Sequence, residues 1–186
     1  ITGDIARFGA DYARLAVWDG YFIIEKICFP TSKLTDIQTW INAKQKKYRI
    51  PNHRCIVDED GVGGGVVDFC DINGFVNNST PMQGENYQNL QTQCGYKLAE
   101  HINANEIGID ADIVSQVERE QIVRELEQLQ TWKADSDGKL KLKPKEEIKV
   151  EIGCSPDWRD MFLMRCWFDY NEVDIPDNIE RILGLT

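Results

Sequence analysis

The chain has 186 residues, 42% of them hydrophobic and 28% charged, and a formal net charge of −10. That is length for one domain with a real core, with no apolar run long enough to span a membrane and no basic-then-apolar leader at its start. The charge argues against a generic nucleic-acid binder, which is usually basic, unless many of the acids cluster to hold cations and so reverse the local field.

Ile1 to Arg7 reads as a short strand. "RLAVWDGYFIIEKICF", Arg14 to Phe29, reads as a hairpin turning at Asp19-Gly20, since Asp-Gly is a strong tight-turn signal. "PTSKLTDIQTWINAKQKKY" predicts a helix capped by Thr31 or Ser32, with Leu34, Ile37 and Ile41 at helical spacing. "RCIVD" predicts a buried strand, a glycine loop follows, and "VVDFCDI" predicts a helix packing back on the sheet. "NGFVNNSTPMQ" is a turn-rich strand region, "NYQNLQTQCGYKLAEHI" a helix and "EIGID" a brief edge strand.

"DIVSQVEREQIVRELEQLQ" predicts a helix capped by Asp112, with Ile113, Val117, Ile122, Leu126 and Leu129 as its apolar stripe. "TWKADSDGKLKLKP" predicts a hairpin turning at Asp137-Gly138. "SPDWRDMFLMRCWFDY" predicts a long final helix with Ser155 as N-cap and Pro156 at its first position. A hairpin followed by strand–helix alternation implies an α/β domain, a mixed sheet with helices on its faces. The six cysteines form no CxxC pair and read as free thiols; His53 and His101 lack metal-ligand spacing and read as structural or surface residues.

Three acidic places carry the chemistry. Asp4 interrupts an apolar strand. Asp58 ends "CIVD", at the kind of strand end where ligand sites collect in open sheets. Asp157 and Asp160, in "SPDWRD", lie three apart on one helix face. Each has a bland alternative: a solvated strand-end acid, a turn acid before Gly61, a first-turn acid complementing the helix dipole. Together they form an oxygen-only donor set, which selects hard cations such as Mg²⁺ or Mn²⁺. Two such ions about 4 Å apart would serve phosphodiester hydrolysis. The run "VDEDGVGGG" matches no nucleotide loop: no Lys-Ser/Thr follows, and Val66 stands where a third dinucleotide-loop glycine would fall.

"GDIARFGAD", "VDEDGVGGGVVD" and "SPDWRDMFLM", in this order and spacing, resemble the C-terminal nuclease domain of bacteriophage terminase large subunits, over Ile1 to about Tyr170. The resemblance implies a ribonuclease H-like fold and a metal-dependent endonuclease that cuts concatemeric double-stranded viral DNA. It places the family's catalytic and metal-binding acids on Asp4, Asp58 and Asp160, with Asp157 a lower-ranked ligand. Glu59 and Asp60 replace residues that are often small or hydroxylic there. It further implies an ATPase domain ahead of this one, so that residues 1–186 form a single nuclease domain of a longer protein. The partners it implies are the phage portal and the small terminase subunit, in the cytoplasm of the host cell.

Lys139, Lys141 and Lys143 of "KLKLKPK" alternate with Leu140 and Leu142, so in a strand they share one face and could track a phosphate backbone; lysines guarding an edge strand are the alternative. The rival functions are a module that binds DNA or portal without cutting, a Holliday-junction resolvase-like nuclease, and a sugar-kinase-like domain, the last disfavoured by the lack of a duplicated half.

Overall fold

The computed structural model describes residues 1–6, 12–30, 33–61, 63–133 and 138–171. Six strands form one mixed sheet: β1 (Thr2–Asp4), β2 (Ala13–Asp19), β3 (Phe22–Phe29), β4 (Ile56–Asp58), β5 (Asn73–Phe75) and β6 (Gly108–Ile109). Their order across the sheet is β5-β4-β1-β2-β3-β6. The β2–β3 hairpin is antiparallel and turns one residue later than expected, through Gly20 and Tyr21, because Asp19 still pairs with Phe22; β1 pairs antiparallel with β2, while β4 lies parallel to both β1 and β5. The "EIGID" strand sits at the sheet edge, parallel to β3.

Alternation along the strands sorts two cores. Leu15, Val17 and Val57 point to the face covered by α1 (Leu34–Tyr48) and α2 (Gly64–Cys70), where Ile37, Ile41 and Val66 are fully buried. Ala16, Ile23 and Ile56 point to the other face. That face is covered by α3 (Leu90–Asn103), α4 (Gln116–Leu126) and α6 (Asp157–Leu163), which brings in Trp158, Met161 and Phe162. β1 is only three residues long, yet it is central and fully covered. Its Gly3 is flanked so closely by Leu15 and Val57 that a Cβ would lie 3.0 Å from Leu15 Cγ.

Several local expectations change. The first helix begins after Lys33, one residue beyond Thr31 and Ser32, which lie outside the described residues. α4 begins at Gln116, not near Asp112. Ser115 caps it, accepting from the Glu118 amide while the Glu118 side chain accepts from the Ser115 amide; this reciprocal box outcompetes Asp112, which falls in a 3₁₀ turn over residues 111–113. Val117 is correspondingly off the apolar stripe, 75% exposed.

The final helix is not continuous. α6 passes through a 3₁₀ turn at Met164–Cys166 into α7 (Trp167–Tyr170), and the cap position is Pro156 rather than Ser155. A further helix, α5 (Lys145–Ile152), follows the lysine-rich stretch. The expected hairpin there is reduced, among the described residues, to single bridges, Thr131 with Leu142 and Tyr87 with Leu140; Asp137 lies outside them.

All six cysteines are free. Among the described residues, no helix is long and apolar enough to cross a membrane.

Candidate metal centre

The parallel register of β1 and β4 sets Thr2 beside Ile56 and Gly3 beside Val57, so the next residues, Asp4 and Asp58, end the two strands side by side. Thr2 and Ile56 face α6, and the two-residue period puts Asp4 and Asp58 on that same face. α6 packs against β1 and carries Asp157 and Asp160. The four acids lie within electrostatic reach of one another: the charges of Asp160, Asp157 and Asp58 all act on Asp4.

The electrostatics are those of crowded, partly dehydrated carboxylates. Burial, then Asp160, holds the Asp4 carboxyl well above its ordinary range. Burial raises Asp58 to about 6, against the N–H that Asp60 donates to it. Asp157 is raised mainly by burial, although it accepts from the Tyr12 amide and Arg14 Nε lies 3.9 Å from it. Asp160 goes the other way: burial pushes it up, but the Arg159 guanidinium and the Lys145 ammonium pull it below the usual carboxylate range. Arg159 Nη2 and Nε reach its Oδ1 at 2.6 and 2.9 Å, and Lys145 Nζ reaches its Oδ2 at 2.7 Å. Lys145 feels Asp4 and Asp157 as well, so one ammonium sits among three acids as their shared counter-ion.

Two supports hold this arrangement. Glu125 of α4 is fully buried and its Oε2 accepts from the amides of Trp158 and Arg159 at 2.7 and 3.2 Å, supplying the cap that Pro156 cannot. Arg14 of β2 lies over the Trp158 ring, 4.4 Å from its centroid, on the same side of the sheet. Of the acids beside the glycine loop, Glu59 folds back over Gly74, and Asp60 is gripped by Asn77. A cleft of about 420 Å³ opens beside the cluster, lined by Asp60, Asn77, Lys145, Arg159 and Asp160 among others.

The lysine row is arranged differently from the expectation. Lys141 and Lys143 are buried, at 8% and 7% exposure, while Leu140 is 42% exposed. Lys143 Nζ donates to Gln128 Oε1 at 2.9 Å and to Glu151, and Leu142 packs on Gly95 of α3. The segment is tied to helices rather than free-standing, so alternation does not put its lysines on one open face; Lys139 alone of the three is exposed. Arg159, Glu125 and Asn77 carry no signal in the sequence. Lys145 had a signal, being the last lysine of the tract, but the helix that aims it had none.

Among the described residues, the one group of three with ligand atoms within 4.8 Å of one another is His101, Cys166 and Asp169, while the oxygens of the four acids are spread more widely. The polar atoms of that trio are already engaged. Asp169 accepts from the Tyr21 hydroxyl and from Arg165 Nη1, His101 Nε2 lies 3.1 Å from it, and His101 Nδ1 meets Glu106. This network binds α3 to α7 and needs no cation.

A six-stranded mixed sheet between helices, with acids ending adjacent central strands and a third element bringing more, is the ribonuclease H-like architecture. Within it, the chain has the fold of the nuclease domains of terminase large subunits. The nuclease domain of the large terminase subunit gp2 of bacterial virus Sf6 superposes with a TM-score of 0.73 at 19% identity, covering 89% of this chain and 86% of that one. The large terminase nuclease from thermophilic phage G20c superposes with a TM-score of 0.58 at 14% identity, covering 90% and 80%. A mutant of the Sf6 domain has been solved with manganese, and the G20c nuclease with magnesium. No protein-family model matches the chain, and no curated protein matches it in sequence.

Proposed function

We propose that this chain is the metal-dependent endonuclease domain of a phage DNA-packaging terminase, cutting concatemeric double-stranded DNA in the host cytoplasm. The observation that carries this reading is the meeting of Asp4, Asp58, Asp157 and Asp160 on one face of the sheet with Lys145 among them. Four carboxylates so close are unstable without positive charge, and their donor set is oxygen alone, which suits Mg²⁺ or Mn²⁺ and not a soft cation. An ammonium that already stands among them, one-third exposed, supports the reading of a place suited to a cation.

Asp4, Asp58 and Asp160 would hold the metal, two ions in the reading preferred here, with Asp157 as an additional ligand. When bound, such ions supply an activated water and stabilise the leaving oxygen. The chain's own residues do the rest. Arg159 fixes one oxygen of Asp160, Glu125 fixes the start of α6, and Lys145, one-third exposed at the cleft, can turn from Asp160 to a phosphate oxygen. DNA contact of this kind is backbone contact, salt-sensitive and indifferent to sequence. Portal and small-subunit contacts belong to this reading as well, through the terminase likeness.

Supercoiled plasmid incubated with Mn²⁺ tests it. The wild-type protein should nick and linearise the plasmid, and Asp58→Asn and Asp160→Asn should abolish cleavage while staying folded. Wild-type-rate cutting by either variant would remove that residue from the site, and preference for a four-way junction over linear duplex would favour a resolvase.

A further inference from the structure

Asn77 follows β5 and reaches across to the end of β4. Its Nδ2 donates to Asp58 Oδ1 at 3.1 Å and to Asp60 Oδ2 at 2.9 Å. One amide nitrogen has two hydrogens, and here each goes to a different carboxylate. The backbone N–H of Asn77 also donates to Asp60 Oδ2, at 3.0 Å, so Asp60 locks the carboxamide in place. The Asp60 amide in turn donates to Asp58 Oδ1 at 3.2 Å. Asp58 Oδ1 therefore carries two donors, while Oδ2 has no hydrogen bond among the described residues.

We infer that Asn77 and Asp60 form a positioning clamp that engages Asp58 Oδ1 and leaves Oδ2 to face a divalent cation. This rests on the nuclease reading of the site and adds two residues to it. Asp58 ends a three-residue strand just before the glycine run, so its own backbone restrains its side-chain rotation poorly. A carboxylate that must present one chosen oxygen needs an outer partner on the other, as ligands in metal sites generally do. Asn suits the task because it donates twice without bringing charge. An Asp there would repel both neighbours. Asp60 is exposed, and its part is to orient Asn77 rather than to reach the metal.

Calorimetric titration of the whole protein with Mn²⁺, without DNA, tests the clamp apart from cleavage. Asn77→Ala should weaken Mn²⁺ binding about tenfold, the lower end of what outer partners of metal ligands are worth. Its urea midpoint should shift little, since the residue is half-buried in a loop. Asn77→Asp should weaken Mn²⁺ binding at least as much. The swap Asp60→Asn with Asn77→Asp restores the 60–77 pair but leaves a carboxylate against Asp58 and no side-chain donor to its Oδ1, so it should stay as weak as Asn77→Asp. If wild type binds Mn²⁺ and Asn77→Ala binds it equally well, the clamp is wrong and the nuclease reading stands. If the swap recovers the wild-type affinity, the donor to Asp58 is not what matters and the clamp is likewise wrong. If wild type binds no Mn²⁺, the nuclease reading itself falls.

Discussion

Lys145 Nζ lies 2.7 Å from Asp160 Oδ2, on the oxygen left free by Arg159, which holds Oδ1. On the nuclease reading, the lysine offsets the charge of the cluster and competes with the cation for Asp160. Lys145→Met keeps the stem and removes the charge. It should lower the stability of the metal-free protein by about 1–3 kcal/mol, less than the full cost of breaking a buried pair because Lys145 is one-third exposed. Mn²⁺ should bind several-fold tighter. Urea unfolding and Mn²⁺ calorimetry on the same variant check both, and weaker Mn²⁺ binding would contradict the competition.

The raised carboxyls contribute a metal-free stability that falls as pH rises. Asp58 goes from an ordinary 3.8 to about 6, and Asp4 is raised too, so between about pH 4 and 6 the folded protein holds more protons than the unfolded chain. The stability that these two carboxyls contribute is fully present below that window and is lost through it. Asp58→Asn removes this penalty. At about pH 7.5 it should stabilise the metal-free protein by about 1–3 kcal/mol, from two pKa units at roughly 1.4 kcal/mol each, and below about pH 4 it should change nothing. Metal reverses the slope, because it needs the carboxylates ionised; excess Mn²⁺ at about 100 times Kd should add about 2.7 kcal/mol to wild type and little to the variant. Urea midpoints across pH, with and without Mn²⁺, decide it.

Glu125 should matter to the centre without touching it. Glu125→Ala strands two buried N–H groups, those of Trp158 and Arg159, and should cost about 2–4 kcal/mol. Glu125→Gln keeps a carbonyl oxygen for them and should cost less than about 1 kcal/mol. The alanine variant should also bind Mn²⁺ more weakly, since α6 carries Asp157 and Asp160. Equal stability of the two variants would show that the cap contributes nothing.

Lys143 is a packing lysine. Lys143→Ala leaves Gln128 short of its donor and should destabilise the protein by about 1–3 kcal/mol. The slope of log DNA affinity against log salt should stay at the wild-type value. Lys145→Met should flatten that slope by about 0.9 if its ammonium meets one phosphate. Salt titrations on two unrelated duplexes separate the lysines.

The sheet and the placement of the acids were legible because their signals are local. Asp19-Gly20 announced the hairpin, "CIVD" announced a strand ending in an acid, and "SPDWRD" announced a helix start. What surrounds the acids was not legible. Lys145 reaches Asp160 only because α5 follows "KLKLKP", a stretch whose alternation suggested a strand running on. Asn77 meets Asp58 only through the pairing of β4 with β5. Ser155 lost the cap position to Pro156, and the orphan amides went to Glu125, thirty-three residues away from Trp158 in sequence. The lysine row failed for a related reason: Gln128 and Glu151 draw Lys143 inward, and period-2 reasoning has no knowledge of neighbours.

Gly63 holds a different kind of leverage. A Cβ added there would fall 1.6 Å from the carbonyl oxygen of Asp58, a collision with main chain that no rotamer can relieve. Gly61 turns with φ +81° in open space, so it is glycine for its backbone angle, whereas Gly63 is glycine for its neighbour. The loop is thus a fastener pressed against the back of the residue it follows. A single methyl at position 63 would push Asp58 out of line with Asp4 while every acid remained in the sequence. An inventory of carboxylates would pass such a protein as intact, and damage through this loop would leave no trace in the four acids themselves.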